Sequence, residues 1–253
     1  MTTDATTPTT TPRELGYEAW MSAAEEEYAR LLEQVATLNA AQWAAPTDCE
    51  GWAVRDVVAH IVGAAAGNAS VREMARQAWA SRASSVRGDL IDRINDIQVS
   101  ERRDHPVERL RADLRDVAVR GVGGRRRLPA ALRALPVPFG PPLGTRTIGY
   151  LMGRIYTRDA WMHRVDIARA AGLPLRLTPE HDGRIVEDVV GEWAVAHGRP
   201  FDLHLEGPAG GHWQRPADSG GSPPEIRLDA VDFARMLSGR ATGTGLLAQT
   251  VPF

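Results

Sequence analysis

The sequence predicts an N-terminal all-α four-helix bundle followed by a small C-terminal α+β domain. Over the first two thirds of the chain, apolar residues recur every three to five positions within long stretches, which is the period of an amphipathic helix. After residue 174 the pattern changes to short alternating segments separated by Gly, Pro and Ser. The 253 residues accommodate two modest domains, because domains typically contain ~100–200 residues.

Four long amphipathic helices are predicted in the first domain. They cover residues 13–38, 52–83, 106–120 and 147–171. The last of them ends at Gly172 with Pro174 just beyond, which is a common way for a helix to terminate. Because each helix carries one apolar face, the four are expected to bury those faces against one another.

Two segments of the first 173 residues are predicted to lack regular structure. The Thr- and Pro-rich residues 1–12 have too little apolar surface to order and are expected to form a disordered tail. Residues 121–146 are rich in Gly, Pro and Arg and predict an irregular loop. The three arginines 125–127 in that loop are interpreted as a solvated run, since no aromatic residues are interleaved with them.

The second domain is predicted to cover residues 174–253, which leaves 13–173 for the bundle. A helix is expected up to about His197, followed by strands in FDLHLEG, GGHWQR and PEIRLD. Asp229 then occupies the N-cap position of a further helix, AVDFARMLSG.

Composition excludes several classes of function and partner. The net charge is -2, with 30 basic and 32 acidic residues interspersed, so no nucleic-acid or anionic-membrane surface is expected. The single cysteine cannot form an internal disulfide, and the N-terminus lacks the pattern of a signal peptide. A cytoplasmic location is therefore expected. The sequence lacks a coiled-coil heptad and an obvious exposed apolar strand, so a monomer or small homo-oligomer is expected.

Three ionisable residues on apolar helix faces form a candidate metal site. Asp159 and His163 are four residues apart, hence on one face of the last predicted bundle helix. His60 lies beside the apolar face of the second helix. A buried carboxylate needs a partner or a metal, so three ligands could converge here. Periodicity alone favours the simpler alternatives, a hydrogen-bonded core histidine and a surface Asp/His pair.

Two stretches of sequence resemble a known family. CEGWAVRDVVAHIVG (49–63) and RDAWMHRVDIARAAG (158–172) resemble the signature stretches of the mycothiol-dependent maleylpyruvate isomerase family, a branch of the DinB-like four-helix metalloproteins. GHWQRP, MLSGR and the terminal VPF resemble that family's C-terminal domain, which is related to sterol-carrier modules. The resemblance implies that His60, Asp159 and His163 ligate the metal. The family usually has Glu where this chain has the shorter Asp159.

The resemblance also implies a reaction. A His/His/carboxylate set leaves a coordination position open, as in catalytic zinc sites, with iron or nickel as other candidates. Mycothiol, bound there as a thiolate, would add to a conjugated double bond, allow rotation and then be eliminated. The expected activity is that of a metal-dependent isomerase or thiol S-transferase acting on a small electrophile that carries a carboxylate.

Arginines are the expected partners of such anionic ligands, because the guanidinium binds a carboxylate through two hydrogen bonds. The resemblance points to Arg240 as a catalytic arginine, while Arg82, Arg154 and Arg158 are candidates for binding the thiol cofactor. Cys49 is interpreted as a small core residue, since no neighbouring base is evident.

Two further functions remain open on the same residues. One is a metal-silent module that binds a small ligand or a protein, an idea favoured by the shortened Asp159. The other is hydrolysis by a zinc-bound hydroxide, which needs a general base that the sequence does not identify. His204 and His212, on separate predicted strands, are interpreted as structural or surface residues.

Overall fold

The computed structural model describes residues 12–138, 144–217 and 221–253. The chain divides into two compact units, Tyr17–Leu175 and a second unit built from Arg176–Phe253 together with the described residues before Tyr17. The predicted tail lies outside the described residues apart from Pro12, as do residues 139–143 of the predicted loop. Among the residues that are described, no helix is both long enough and apolar enough to cross a bilayer.

The first unit is almost entirely helical, and four long helices form its core. Its helices are α1 (Tyr17–Thr37), α2 (Ala40–Trp43), α3 (Val54–Ala69), α4 (Val71–Ala80), α5 (Leu90–Ser100), α6 (Val107–Arg126) and α7 (Ala130–Arg133). The antiparallel pair β1 (Pro136–Pro138) and β2 (Thr145–Thr147), the short α8 (Ile148–Tyr150), a π-helical turn (Leu151–Ile155) and α9 (Tyr156–Ala171) follow. Both α1 and α3 pack against α6 and α9. Their contact buries Leu31, Val58, Leu110, Leu114 and Trp161 completely.

The stretch 52–83, predicted as one helix, is interrupted at Ser70. The backbone there is extended, with φ -149° and ψ 117°, and the Ser70 hydroxyl accepts the Glu73 N–H to start α4. Helix α5 was not predicted, although Leu90, Ile94 and Ile97 recur within it at the spacing of an amphipathic helix. Its start is also encoded locally, since the Asp89 carboxylate accepts the N–H groups of Ile91 and Asp92.

Helix α6 extends to Arg126, so the prediction of an irregular segment was wrong for residues 121–126. The glycines lie where α6 approaches α3 most closely. A Cβ on Gly121 would be 2.8 Å from the Ala65 carbonyl oxygen, and a Cβ on Gly124 would be 2.2 Å from that of Asn68. Glycine therefore permits helix contact here instead of ending the helix.

The arginine run is likewise not simply solvated. Arg125 is 2% exposed, and its guanidinium donates hydrogen bonds to the carbonyls of Met152 and Gly153 and to the Thr157 hydroxyl. These contacts join the end of α6 to the π-helical turn and the start of α9. The interpretation of 125–127 as a wholly solvated run was wrong for Arg125.

The second unit packs helices on a small sheet. A π-helical turn (Pro179–Gly183) leads into α10 (Arg184–His197), followed by β3 (Phe201–Glu206), β4 (Gly211–Arg215), β5 (Glu225–Asp229) and α11 (Ala230–Leu237). The strand order is β4-β3-β5, with β3 antiparallel to β4 and parallel to β5. Phe201, Leu203 and Leu205 are buried on one face of β3, together with Trp193 of α10 and Phe233 of α11. Asp229 caps α11 as predicted.

Candidate metal centre

The structure brings together the three residues proposed as ligands. Helices α3 and α9 pack against each other, and His60 on α3 is 5% exposed. Its Nε2 lies 3.4 Å from Asp159 Oδ2, while His163 Nε2 lies 3.3 Å from Asp159 Oδ1. One ligand atom from each residue lies within 4.8 Å of the other two. The two helices thus present two imidazole nitrogens and a carboxylate to one point in the bundle.

Asp159 and His163 form an ion pair in which each side chain stabilises the charged form of the other. Burial raises the pKa of the Asp159 carboxyl, but the charges of His163 and His60 and their hydrogen bonds outweigh it and hold that pKa well below its usual 3.8. For His163, burial lowers the pKa, and the Asp159 charge with the hydrogen bonds to Asp159, Asp166 and Cys49 raises it well above 6.5. The pocket therefore strongly favours positive charge beside Asp159.

Asp166 contacts the His163 ring nitrogen that faces away from Asp159. Asp166 was not singled out as a site residue from the sequence. Its carboxylate is fully buried, and its Oδ2 lies 3.0 Å from His163 Nδ1. A carboxylate that accepts the remote ring N–H fixes the tautomer and orientation of a ligating histidine. The signal available in the sequence was its spacing, three residues after His163 on the same helix.

Cys49 and Trp52 also border the cluster, and both come from the loop before α3. Cys49 Sγ lies 3.4 Å from Asp166 Oδ2 and 3.9 Å from His163 Nδ1, so it is not merely a core residue. The Trp52 ring is centred 5.3 Å from that of His60 and 6.3 Å from that of His163. Trp52 thus covers both imidazoles with an aromatic surface.

A cavity of about 920 Å³ adjoins this edge of the cluster, since Cys49 and Trp52 line both. Its wall carries both signs of charge, with three arginines, Arg55, Arg87 and Arg103, and four acidic residues, Glu50, Asp56, Asp92 and Asp96. Arg55 also donates hydrogen bonds to the Arg103 and His105 carbonyls, which holds that guanidinium in place. Sequence reasoning missed these arginines because they are distributed over separate segments without a common spacing.

The predicted arginines of the first unit lie in different environments. The Arg82 guanidinium stacks 4.2 Å from the centre of the Trp79 ring, and that of Arg154 lies 5.4 Å from the Tyr150 ring. Arg158 is completely buried and directly precedes Asp159 in α9. None of the three lines the cavity beside Trp52.

Arg240 belongs to the second unit and follows α11. Its backbone N–H donates to the Arg235 carbonyl oxygen at 2.9 Å, which closes the end of that helix. The side chain is partly exposed. Its assignment as a catalytic arginine remains a prediction.

Residues 24–168 match the sequence model of the mycothiol maleylpyruvate isomerase N-terminal domain. The matched segment contains all three candidate ligands and Asp166. The chain belongs to the mycothiol maleylpyruvate isomerase family. No curated protein matches the sequence significantly.

Two solved structures share the fold across nearly the whole chain. One is the crystal structure of the mycothiol-dependent maleylpyruvate isomerase, with a TM-score of 0.61 and 16% identity, and the alignment covers 92% of this chain and 93% of that one. The other is a histidine-to-alanine mutant of the same enzyme, with a TM-score of 0.60, 15% identity and the same coverage. At this identity the likeness establishes the fold of the mycothiol maleylpyruvate isomerase family and leaves the chemistry to be argued from the residues.

Proposed function

We propose that the chain is a metal-dependent, mycothiol-using isomerase or thiol S-transferase. Its substrate would be a small electrophile that carries a carboxylate. The observation that supports this most directly is the convergence of His60, Asp159 and His163 between α3 and α9 within the segment that defines the family.

The residues fit a divalent metal for a specific reason. When Asp166 accepts the Nδ1–H of His163, the Nε2 of that ring carries a lone pair. This lone pair faces the Asp159 carboxylate at 3.3 Å, so two acceptors oppose each other. Without metal, a proton on Nε2 satisfies this arrangement, which agrees with the raised pKa of His163. A metal ion would replace that proton and be held by both groups together with His60.

The shorter carboxylate of this chain does not prevent ligation. Each oxygen of Asp159 faces one imidazole, at 3.3 and 3.4 Å, so the side chain already reaches both candidate ligands. Two imidazoles and one carboxylate are borderline donors that suit zinc first, with iron or nickel as alternatives. A bound zinc ion would supply Lewis acidity that lowers the pKa of a coordinated mycothiol thiol.

The protein's own groups supply orientation and exclusion of water. Asp166 fixes the orientation of the His163 ring through Nδ1, and the Trp52 ring lies beside both imidazoles. Burial strengthens every charge interaction in the site because little water screens it. The cavity beside Trp52 offers room for thiol and substrate; its wall carries acidic residues as well as arginines, so a substrate carboxylate would have to bind at the arginines themselves.

Several finer points belong to the same proposal. Helices α1, α3, α6 and α9 would form the DinB-like metal-binding bundle, and the second unit would be the sterol-carrier-like domain. Arg240 would bind the substrate carboxylate during the reaction. The assignment of Arg82, Arg154 and Arg158 to mycothiol stays a prediction, since none of the three lines the cavity beside Trp52. A cytoplasmic monomer or small homo-oligomer would suit an enzyme that uses a low-molecular-weight thiol.

Elemental analysis of tag-free protein purified without chelators tests the metal first. We expect zinc, iron or nickel in the wild type, and about one equivalent less per chain in His60→Ala and in His163→Ala. His105→Ala serves as the matched control and should keep the wild-type content. A folded wild type that contains no metal and takes up none when zinc is added would overturn the proposal and favour the metal-silent binding module.

Turnover tests the chemistry separately. Wild type is incubated with maleylpyruvate in the presence and absence of mycothiol, and loss of the cis substrate is followed. Conversion that requires mycothiol and is lost in His163→Ala supports the isomerase. Metal binding without turnover of maleylpyruvate would confine the proposal to thiol transfer, which is then assayed with mycothiol and other small electrophiles.

A further inference from the structure

A second cluster of ligand-type side chains lies on the sheet of the C-terminal unit. The alternation of β3 places Asp202 and His204 on the face opposite the buried Leu203. The antiparallel register sets His212 of β4 directly across from His204. Sequence reasoning treated both histidines as structural or surface residues, because the strand register that pairs them was not known.

The three side chains converge on a single carboxylate oxygen. Asp202 Oδ1 lies 2.6 Å from His212 Nε2 and 3.2 Å from His204 Nε2. The two imidazole rings are stacked, with centroids 3.7 Å apart and an interplanar angle of 22°. One ligand atom from each of the three residues lies within 4.8 Å of the others. Both Nε2 atoms therefore point toward the same place as the carboxylate.

We propose that Asp202, His204 and His212 form a second divalent-metal site, suited to zinc, that links β3 to β4. Two imidazole nitrogens and one carboxylate oxygen are a common donor set for zinc, and water would complete the coordination. The side chains are 19–26% exposed, so an ion reaches them from solvent. Because both strands belong to one sheet, the donors are already held close together, which reduces the entropy lost on binding.

The charge around the cluster also suits a cation. Arg227 lies opposite His204 on β5, and its positive charge would oppose binding if it were uncompensated. Its guanidinium lies 3.5 Å from Glu206 and 3.5 Å from Glu225, so two carboxylates offset that charge. The Asp202 carboxylate then provides the negative charge that faces the two imidazoles.

The site is tested in full-length protein that lacks the bundle ligands. The His60→Ala/His163→Ala double variant is stripped of metal, dialysed against zinc and examined by elemental analysis. We expect about one zinc per chain in this background. Adding His204→Gln or His212→Gln should remove it, whereas the matched change His105→Gln should leave it in place.

A stability measurement gives a second readout. Because zinc binds the folded sheet, it should raise the melting temperature of the double variant, and this rise should disappear when His204→Gln is added. If the glutamine variants fail to fold, Asp202→Asn, which preserves side-chain size, is expected to lose zinc in their place. The proposal is overturned if the folded double variant takes up no zinc, or if its zinc content is unchanged by these substitutions. Neither result depends on whether the enzyme is active.

Discussion

Gly124 of α6 offers the sharpest test of how the helices of the first unit pack. An alanine Cβ at this position would lie 2.2 Å from the Asn68 carbonyl oxygen and 3.1 Å from the Ala69 Cα, far inside normal contact. Both atoms belong to the α3 backbone, so relief requires the two helices to separate. Alanine gains about 1 kcal/mol in helix propensity over glycine, while overpacking costs ~1–3 kcal/mol or more. Because the clash is with backbone, we take the upper end of that cost, about 3 kcal/mol, and expect Gly124→Ala to lower the free energy of unfolding by about 2 kcal/mol net.

Gly123, one residue earlier in the same helix, is the matched control. A Cβ there would meet only Arg127 Nη1, the end of a flexible side chain, at 3.3 Å. The propensity gain should then dominate, and Gly123→Ala should raise the free energy of unfolding by about 0.5 kcal/mol. Urea unfolding followed by far-UV circular dichroism measures both variants. Equal or greater stability of Gly124→Ala than wild type, or equal destabilisation by both changes, would refute the close-packing argument.

Three further outcomes follow from buried charges. Asp166→Asn should lower metal affinity about 10–100-fold, measured in competition with a chelator, because the Asp166 carboxylate no longer orients the His163 ring. An unchanged affinity would contradict this. Glu27 contacts Arg164 at 2.6 Å, and both side chains are buried. We therefore expect Glu27→Gln to lower the free energy of unfolding in urea by about 3 kcal/mol, and the exposed control Glu26→Gln to lower it by less than about 0.5 kcal/mol. Similar losses in the two variants would argue against the buried pair. Burial lowers the pKa of His197 from 6.5 to about 4, and the charges of two nearby arginines act in the same direction. Because the unfolded chain then binds a proton at this residue more readily than the folded protein, the free energy of unfolding should fall as the pH drops from about 6.5 toward 4. A urea midpoint that falls over this range as steeply in His197→Gln as in wild type would contradict this assignment.

Secondary structure was predictable where local chemistry decided it. The long helices α1, α3 and α9 carry an apolar face, and Asp229 caps α11 through its own carboxylate. Helix α5 and the last turns of α6 were missed. The first carries apolar residues at helical spacing that were overlooked in interpreting the sequence, and the second contains glycines that serve the contact with α3.

The sequence by itself determined that two of the three candidate ligands lie together. Asp159 and His163 lie four residues apart, and the rise of an α-helix places them together whatever the rest of the fold does. The contact of His60 with Asp159 spans 99 residues and exists only because α3 packs against α9. Backbone geometry fixes which residues of one helix lie side by side, whereas the packing of apolar helix faces determines which residues of distant segments come into contact.

The second cluster shows the same division more sharply. The two-residue period of a strand puts Asp202 and His204 on one face, and this much can be derived from the sequence. Whether His212 lies across from His204 depends on strand register, because a shift by one residue would turn it to the other face. Register is set by burial of the apolar face of the whole sheet, so tertiary structure alone decided that these three side chains meet.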